Sequence, residues 1–539
     1  MTAGRQDTTT SRASGFHSRI VTVSATAAVT AAVVGSVLTV GPAAAVTAQS
    51  RQVGTTSVAV ANLPGAVGNS DVDPRGDIRP VRRINWRTCR DEPAMQCGSY
   101  LVPRNWRNPA DGLFRLSVRR LPALGQPGRV IGSLFVNPGG PGGSGTEFLG
   151  ALTNFTALRR RFNIVAWDPR GVPPTTPTMT DCPEQPGSND QRPAIGSFDW
   201  TGVARLRMSP TAASNQACLR VNRLLTPFVG TNDVVQDLDA LRAAVGDRQL
   251  NYLGYSYGTT IGRTYALRYP NRVRVLLLDG VTAPEASVFS YLTNQGVGGA
   301  VAWPMIKGSL TPATRTAYDK VATYLQTKVI VQQGASINRW DLWSIAINAG
   351  RGSASLAALP RIVCDLAAAA AIPAPGCGPG TKSRGAVRRA LDEARAVTLG
   401  SPILPMVNCS DQRGRPTPVQ VGAALARANQ SSGPEAASNA LNFSVMCAGM
   451  PPAWNQIPAL TPLRLEVPPL LVNGVGDTAT PMVGARANAR GFRGSRLIAV
   501  NTTFHGLFGL VGSNCVNSVG LQYLINRKLP ATNVSCPAP

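Results

Sequence analysis

The chain has 539 residues, 43% of them hydrophobic, which is enough to fill a sizeable core and excludes wholesale disorder. The net charge is +25, and only five of the 53 basic residues are lysines. The arginines are scattered among Ala, Gly, Val and Pro with no basic run, which argues against a nucleic-acid partner, since such proteins gather Lys and Arg on one face or tail. The pattern fits an arginine-for-lysine usage bias and attraction to an acidic cell envelope.

Residues 1–45 have the layout of an export signal. Arg5, Arg12 and Arg19 give a positive start, Ile20 to Val40 carries no charge, and Ala43-Ala44-Ala45 is a small-residue cleavage site. The uncharged stretch is mostly Ala, Thr, Ser and Val, which inserts weakly into a bilayer, so cleavage is expected and no lasting membrane anchor. Losing three arginines and one aspartate lowers the net charge from +25 to +23. Residues 46–85 show little periodicity and read as a flexible lead-in or propeptide.

All ten cysteines follow the signal, and an even count in an exported chain points to disulfides. Sequence alone leaves the pairing open. Joining neighbours gives Cys89–Cys97, Cys182–Cys218, Cys364–Cys377, Cys409–Cys447 and Cys515–Cys536. A metal site is not expected, because there is no Cys-x-x-Cys and one histidine remains after export.

The elements then follow in order. "CGSYLVPRNW" (97–106) and "LFRLSVRRL" (113–121) flank Asp111-Gly112 and predict a hairpin. The apolar runs 130–137 and 162–168 predict buried strands. Residues 231–246 show helical spacing ending at Gly246. A strand over 249–256, a helix over 257–270 and a strand over 273–279 follow. This alternation predicts an α/β fold: a mostly parallel sheet with helices on both faces. From 285 to 462 the chain turns Ala-rich and helical, and strand signals resume at "PPLLVNGVGD" (468–477) and "SRLIAVNTTFHG" (495–506). The expected domains are a core first part at 86–284, an inserted helical lid at 285–462, and a core completion at 463–539.

The string "GYSYG" (254–258) lies between a strand and a helix, where a nucleophile elbow requires a serine. Ser256 would sit at the helix N-terminus, where the dipole favours developing negative charge. Serine needs a base, and after export His505 is the one histidine left. The base needs a carboxylate to hold its tautomer. Asp477 ends a strand in a Gly-x-Gly-Asp turn 28 residues before His505, and Asp279, at the end of the 273–279 strand, is the rival. Backbone donors for a tetrahedral intermediate are expected from Tyr257 and from the glycine loop 137–145, where Gly140 is the candidate because Pro141 has no N–H. The Gly-x-Gly-x-x-Gly spacing in that loop is no dinucleotide site, since no acid follows about 20 residues on. No cofactor is expected.

These segments together resemble a known family. "NPGGPGGSG" (137–145), "VAWDPRGV" (165–172), "NYLGYSYGTTIG" (251–262), "LLLDGV" (276–281), "VNGVGDTATP" (472–481) and "FHG" (504–506) are similar to the secreted bacterial tripeptidyl aminopeptidases and their prolyl iminopeptidase relatives. The resemblance implies an α/β-hydrolase fold with a helical lid (cap), a TAP-like C-terminal region, and peptide substrates with a free N-terminus. Pro138 stands where prolyl iminopeptidases carry His, as in the tripeptidyl group. An α-ammonium group calls for a carboxylate partner, and Asp411, Asp279 and Glu285 are the candidates. The rival readings are a carboxylesterase or lipase on the same three residues, and a non-catalytic binding module.

Overall fold

The computed structural model describes residues 83–180, 199–332, 335–374, 376–377, 387, 389–390 and 403–539. The expectations for 1–45, for nearly all of 46–85 and for Cys182 lie outside them.

The hairpin forms as expected, with β2 (Gln96–Pro103) antiparallel to β3 (Leu113–Leu121) and Pro103 opposite Leu113. A two-residue strand β1 (Arg87–Thr88) lies outside β2. The apolar runs become β4 (Gly132–Asn137), β5 (Phe162–Trp167), β6 (Leu250–Tyr255) and β7 (Val273–Asp279). After the insertion come β10 (Leu470–Gly474), β11 (Arg496–Val500) and the short β12 (Val534–Cys536). These ten strands make one sheet in the order β1-β2-β3-β5-β4-β6-β7-β10-β11-β12. It is antiparallel from β1 to β5 and parallel through the remaining pairs.

Side chains alternate across the sheet and feed two cores. Phe135, Tyr252 and Leu276 face one cluster, and their neighbours Leu134, Leu253 and Leu277 face the other. Every residue of β6 is buried, as expected of a strand covered on both faces. The first cluster takes in α4 (Thr231–Ala244), α5 (Tyr257–Arg268) and α13 (Met482–Gly491), and the second takes in α14 (Asn514–Asn526). The single turns α1 (Gly145–Phe148) and α2 (Thr156–Arg159) lie between β4 and β5. β12 was not anticipated: three residues give no periodicity, and the Cys515–Cys536 disulfide ties the strand to α14.

Between β7 and β10 no described residue joins the large sheet. The insertion holds α6 (Val288–Ser309), α7 (Pro312–Tyr324), α8 (Arg339–Ala349), α9 (Ser353–Ala369), α10 (Ile403–Asp411), α11 (Pro418–Ser432) and α12 (Pro434–Ser444). It also holds a two-stranded hairpin, β8 (Ile330–Gln332) with β9 (Ala335–Ile337), inside the block expected to be helical. Helix α3 (Trp200–Val221) precedes β6 in the chain, yet its Val203 and Ala204 pack with Val421, Leu425 and Ala440 of α11 and α12. The helical layer is therefore drawn from both sides of the elbow, where the sequence suggested one contiguous block. Cys364–Cys377 and Cys409–Cys447 lie within the insertion, and Cys89–Cys97 staples the first strands.

Candidate active site

The parallel strands point their C-terminal ends at one region, and the candidate residues sit on the turns that follow them. Ser256 joins β6 to α5 with φ 54° and ψ −124°, a conformation few non-glycine residues adopt. Its N–H donates to the Asp279 carbonyl at 2.9 Å. The turn is tight enough that a Cβ on Gly254 would come within 2.5 Å of the Gly258 carbonyl oxygen, and one on Gly258 within 2.6 Å of the Asn137 carbonyl oxygen. Both glycines of the motif are needed for the close approach.

Asp477 and His505 follow β10 and β11. His505 Nδ1 lies 2.7 Å from Asp477 Oδ2. The aspartate is 1% exposed and is held by the N–H groups of Ala479 (2.8 Å) and Thr480 (3.0 Å) and by the Thr480 hydroxyl (2.8 Å). Thr480 Oγ1 also lies 3.3 Å from His505 Nδ1. Sequence reasoning passed over Thr480, and the "DTATP" string in which it stands was the available signal.

The rival carboxylate has a different job. Asp279 Oδ2 accepts the N–H groups of Leu507 (2.7 Å) and Phe508 (2.6 Å), so it anchors the backbone just past His505. It is fully buried, and burial raises its pKa to about 6 despite these two donors. Asp477 meets the imidazole, and Asp279 meets the loop that carries it.

Gly140, Ser256, Tyr257 and His505 border one cavity of about 220 Å³. Tyr257 is the first residue of α5, so its N–H has no acceptor within the helix. The glycine loop packs against the elbow: a Cβ on Gly139, whose φ is +97°, would lie 2.6 Å from the Tyr255 carbonyl oxygen and 2.8 Å from the Tyr257 nitrogen. The loop is fixed from behind by buried Asp168, which accepts the Ser144 and Thr146 hydroxyls at 2.6 Å each.

The three acids expected for a substrate ammonium are not on this cavity's wall. Asp411 is 1% exposed, takes the Thr231 N–H at 3.0 Å, and meets the Thr231 hydroxyl, which bonds in turn to the Tyr257 hydroxyl. Burial pushes its pKa up to about 7. Asp279 is committed to the His505 loop, and Glu285 is exposed. The insertion instead contributes a base to the cavity: Arg351, whose Nε donates to Thr478 Oγ1 at 3.0 Å. Among the described residues, the one grouping with metal-ligand geometry is Cys89, Asp91 and Cys97, and its two sulfurs are joined in a disulfide.

The fold agrees with the comparisons with known proteins. The family described as "alpha/beta hydrolase fold" matches residues 132–331, and the family described as "TAP-like protein" matches residues 434–536. The chain has the α/β-hydrolase fold, and its C-terminal region is similar to the TAP-like proteins. The tripeptidyl aminopeptidase of Streptomyces lividans is 27% identical over 486 residues, covering 84% of this chain and 86% of that protein. The serine protease Hip1 of Mycobacterium tuberculosis is 37% identical over 228 residues, covering 40% of this chain and only 42% of that protein's length. Carboxylesterase B of Mycobacterium tuberculosis is 32% identical over 224 residues, covering 40% of this chain and 42% of its own.

Proposed function

We propose that the protein is an exported serine exopeptidase that cuts peptide bonds near free N-termini and releases tripeptides. His505 takes the proton of the Ser256 hydroxyl as the oxygen attacks the scissile carbonyl. Asp477 holds the imidazole with its proton on Nδ1 and stabilises the imidazolium that forms. The N–H groups of Tyr257 and Gly140 receive the oxyanion. The imidazolium then protonates the departing amine. Water, deprotonated by the same histidine, cleaves the acyl-enzyme.

The observation that carries the reading is the 2.7 Å contact between His505 and Asp477 on the same cavity as Ser256. Similarity to tripeptidyl aminopeptidases over 84% of the chain supports the peptide substrate and the product length. Four disulfides among the described residues support an oxidising, extracellular location.

A second reading, a carboxylesterase on the same residues, is favoured by one observation: among the described residues, no acid lines the cavity beside Ser256 to meet an ammonium group. A substrate panel separates the two. The exopeptidase reading expects an unblocked tripeptide p-nitroanilide to be cleaved and its N-acetyl form ignored. Equal cleavage of both removes the aminopeptidase assignment, and short acyl esters turned over far faster than any peptide establish the esterase.

A further inference from the structure

A second, larger chamber of about 620 Å³ lies on the other side of His505. Arg351 and His505 border both chambers, so these two side chains form the partition between them. Three features of the larger chamber point to the same ligand chemistry. The first is Arg351. Its Nη2 is buried without a hydrogen-bond partner, and no carboxylate lies within salt-bridge distance among the described residues. Burial lowers its pKa to about 10, opposed by the nearby negative charge of Asp477, and leaves it charged at neutral pH. A buried donor nitrogen of this kind is costly unless an acceptor meets it.

The second feature is the start of α9. Gly352, Ser353, Ala354 and Ser355 line the chamber, and the 17-residue helix has no side-chain cap at its N-terminus. Its first N–H groups are open donors at the positive end of the helix dipole. The third is charge: the chamber wall also carries Arg389, and no acid is among its described lining residues.

The partition is held firmly. The His505 N–H donates to the Arg351 carbonyl at 2.9 Å, and the Thr503 hydroxyl donates to the Gly350 carbonyl at 2.6 Å. The cationic chamber is thus fixed to the loop that carries the catalytic base, which is the side from which a leaving amine takes its proton.

We propose that this chamber is a carboxylate-binding subsite for the leaving group, with Arg351 and the first turn of α9 receiving the C-terminal α-carboxylate of the departing amino acid or short peptide. The proposal rests on the peptidase reading above and narrows it: the preferred substrates are short oligopeptides with a free C-terminus. Arg351 is then a specificity residue, engaged through the substrate's charge.

The test compares the full-length protein on matched unblocked tetrapeptides ending in a free carboxylate, in a carboxamide, or in a carboxamide with Glu as the departing residue. Alongside, the dipeptide Ala-Ala and its amide are titrated calorimetrically, which needs no turnover. One charge-assisted hydrogen-bonded contact corresponds to about tenfold, so the free acid should exceed the amide by about that factor in kcat/KM and in affinity. Arg351→Gln should bring the acid-to-amide ratio close to one, and Arg351→Lys should keep part of it. Arg389→Gln, at an exposed position, should lower the ratio in the same direction and controls for misfolding at Arg351. A rescue of the amide by Glu assigns the subsite to an acidic side chain and overturns the α-carboxylate. Equal binding of Ala-Ala and its amide overturns the proposal whether or not peptides are cleaved. Failure of all three tetrapeptides, with Ala-Ala still preferred over its amide, removes the peptidase reading and leaves the carboxylate subsite standing.

Discussion

The sheet and the helical insertion solve different problems. The sheet places Ser256, Asp477 and His505 on turns after β6, β10 and β11, three strands whose registers are locked by parallel pairing through β7. Its residues can be held to a fraction of an ångström because strands buried on both faces have little freedom. The insertion supplies walls: Arg351, Phe443 and Met446 border the cavity, and none of its described acids does. Under the proposed function this is a division of labour in which the sheet sets the chemistry and the insertion sets what reaches it. Substitutions after strands should lower kcat on every substrate. Substitutions in the insertion should change the ranking of substrates.

The largest expected effect is Asp477→Asn. Loss of the imidazole's carboxylate should cut kcat by about 10⁴-fold on peptide and ester alike while the fold is kept. Asp279→Asn retains an acceptor oxygen for the Leu507 and Phe508 N–H groups and should lower kcat far less. If the two variants lose equal activity, the assignment of the carboxylates is wrong. Next comes Gly139→Ala. A methyl group 2.6 Å from the Tyr255 carbonyl oxygen, at φ +97°, must displace the glycine loop. The expected strain is about 1–3 kcal/mol of stability, and a displaced oxyanion donor lowers kcat by about 10²-fold or more. Unchanged kcat in a folded variant would remove Gly140 from the oxyanion site.

The legible part of the sequence was the part with strong local signals. The runs 132–137, 250–255 and 273–279 are apolar throughout and bounded by turns, so both their strand character and their burial could be read. The elbow could be read because its glycines are required by contact, and His505 because histidine is nearly absent. What could not be read depends on contacts distant in sequence. Helix α3 joins α11 and α12 across more than two hundred residues of chain. Asp411 had a plausible charge for an ammonium group, yet it reaches across 180 residues to the Thr231 N–H. Arg351 gave no signal among 48 arginines, because its meaning lies in its place on the walls of both cavities and in a buried Nη2 without a hydrogen-bond partner.

Two smaller effects sharpen the contrast from the insertion's side. Removing the Cys409–Cys447 bridge by paired serine substitutions should cost about 2–4 kcal/mol in denaturant unfolding. It should raise KM for peptides more than it lowers kcat, since α10 ends beside the Thr231–Tyr257 contact. A kcat loss as large as that of Asp477→Asn would place the insertion in the chemistry itself.

Asp411→Asn probes the same joint through pH. Burial raises the Asp411 pKa to about 7, so the folded state binds this proton more tightly than the unfolded chain, whose carboxyl titrates near 3.8. The favourable contribution is complete below about pH 4 and is lost as pH rises through about 7. The variant should therefore compare more favourably with wild type at pH 8 than at pH 5 in urea unfolding. A pH-independent difference would mean that Asp411 stays ionised throughout.

Labelling with a fluorophosphonate probe followed by peptide mapping tests the central claim most directly. The account predicts the probe's mass on the peptide carrying Ser256 in the wild type, no labelling in Ser256→Ala, and strongly slowed labelling in His505→Ala. A wild-type protein that does not label, or a Ser256→Ala variant that still does, would contradict it.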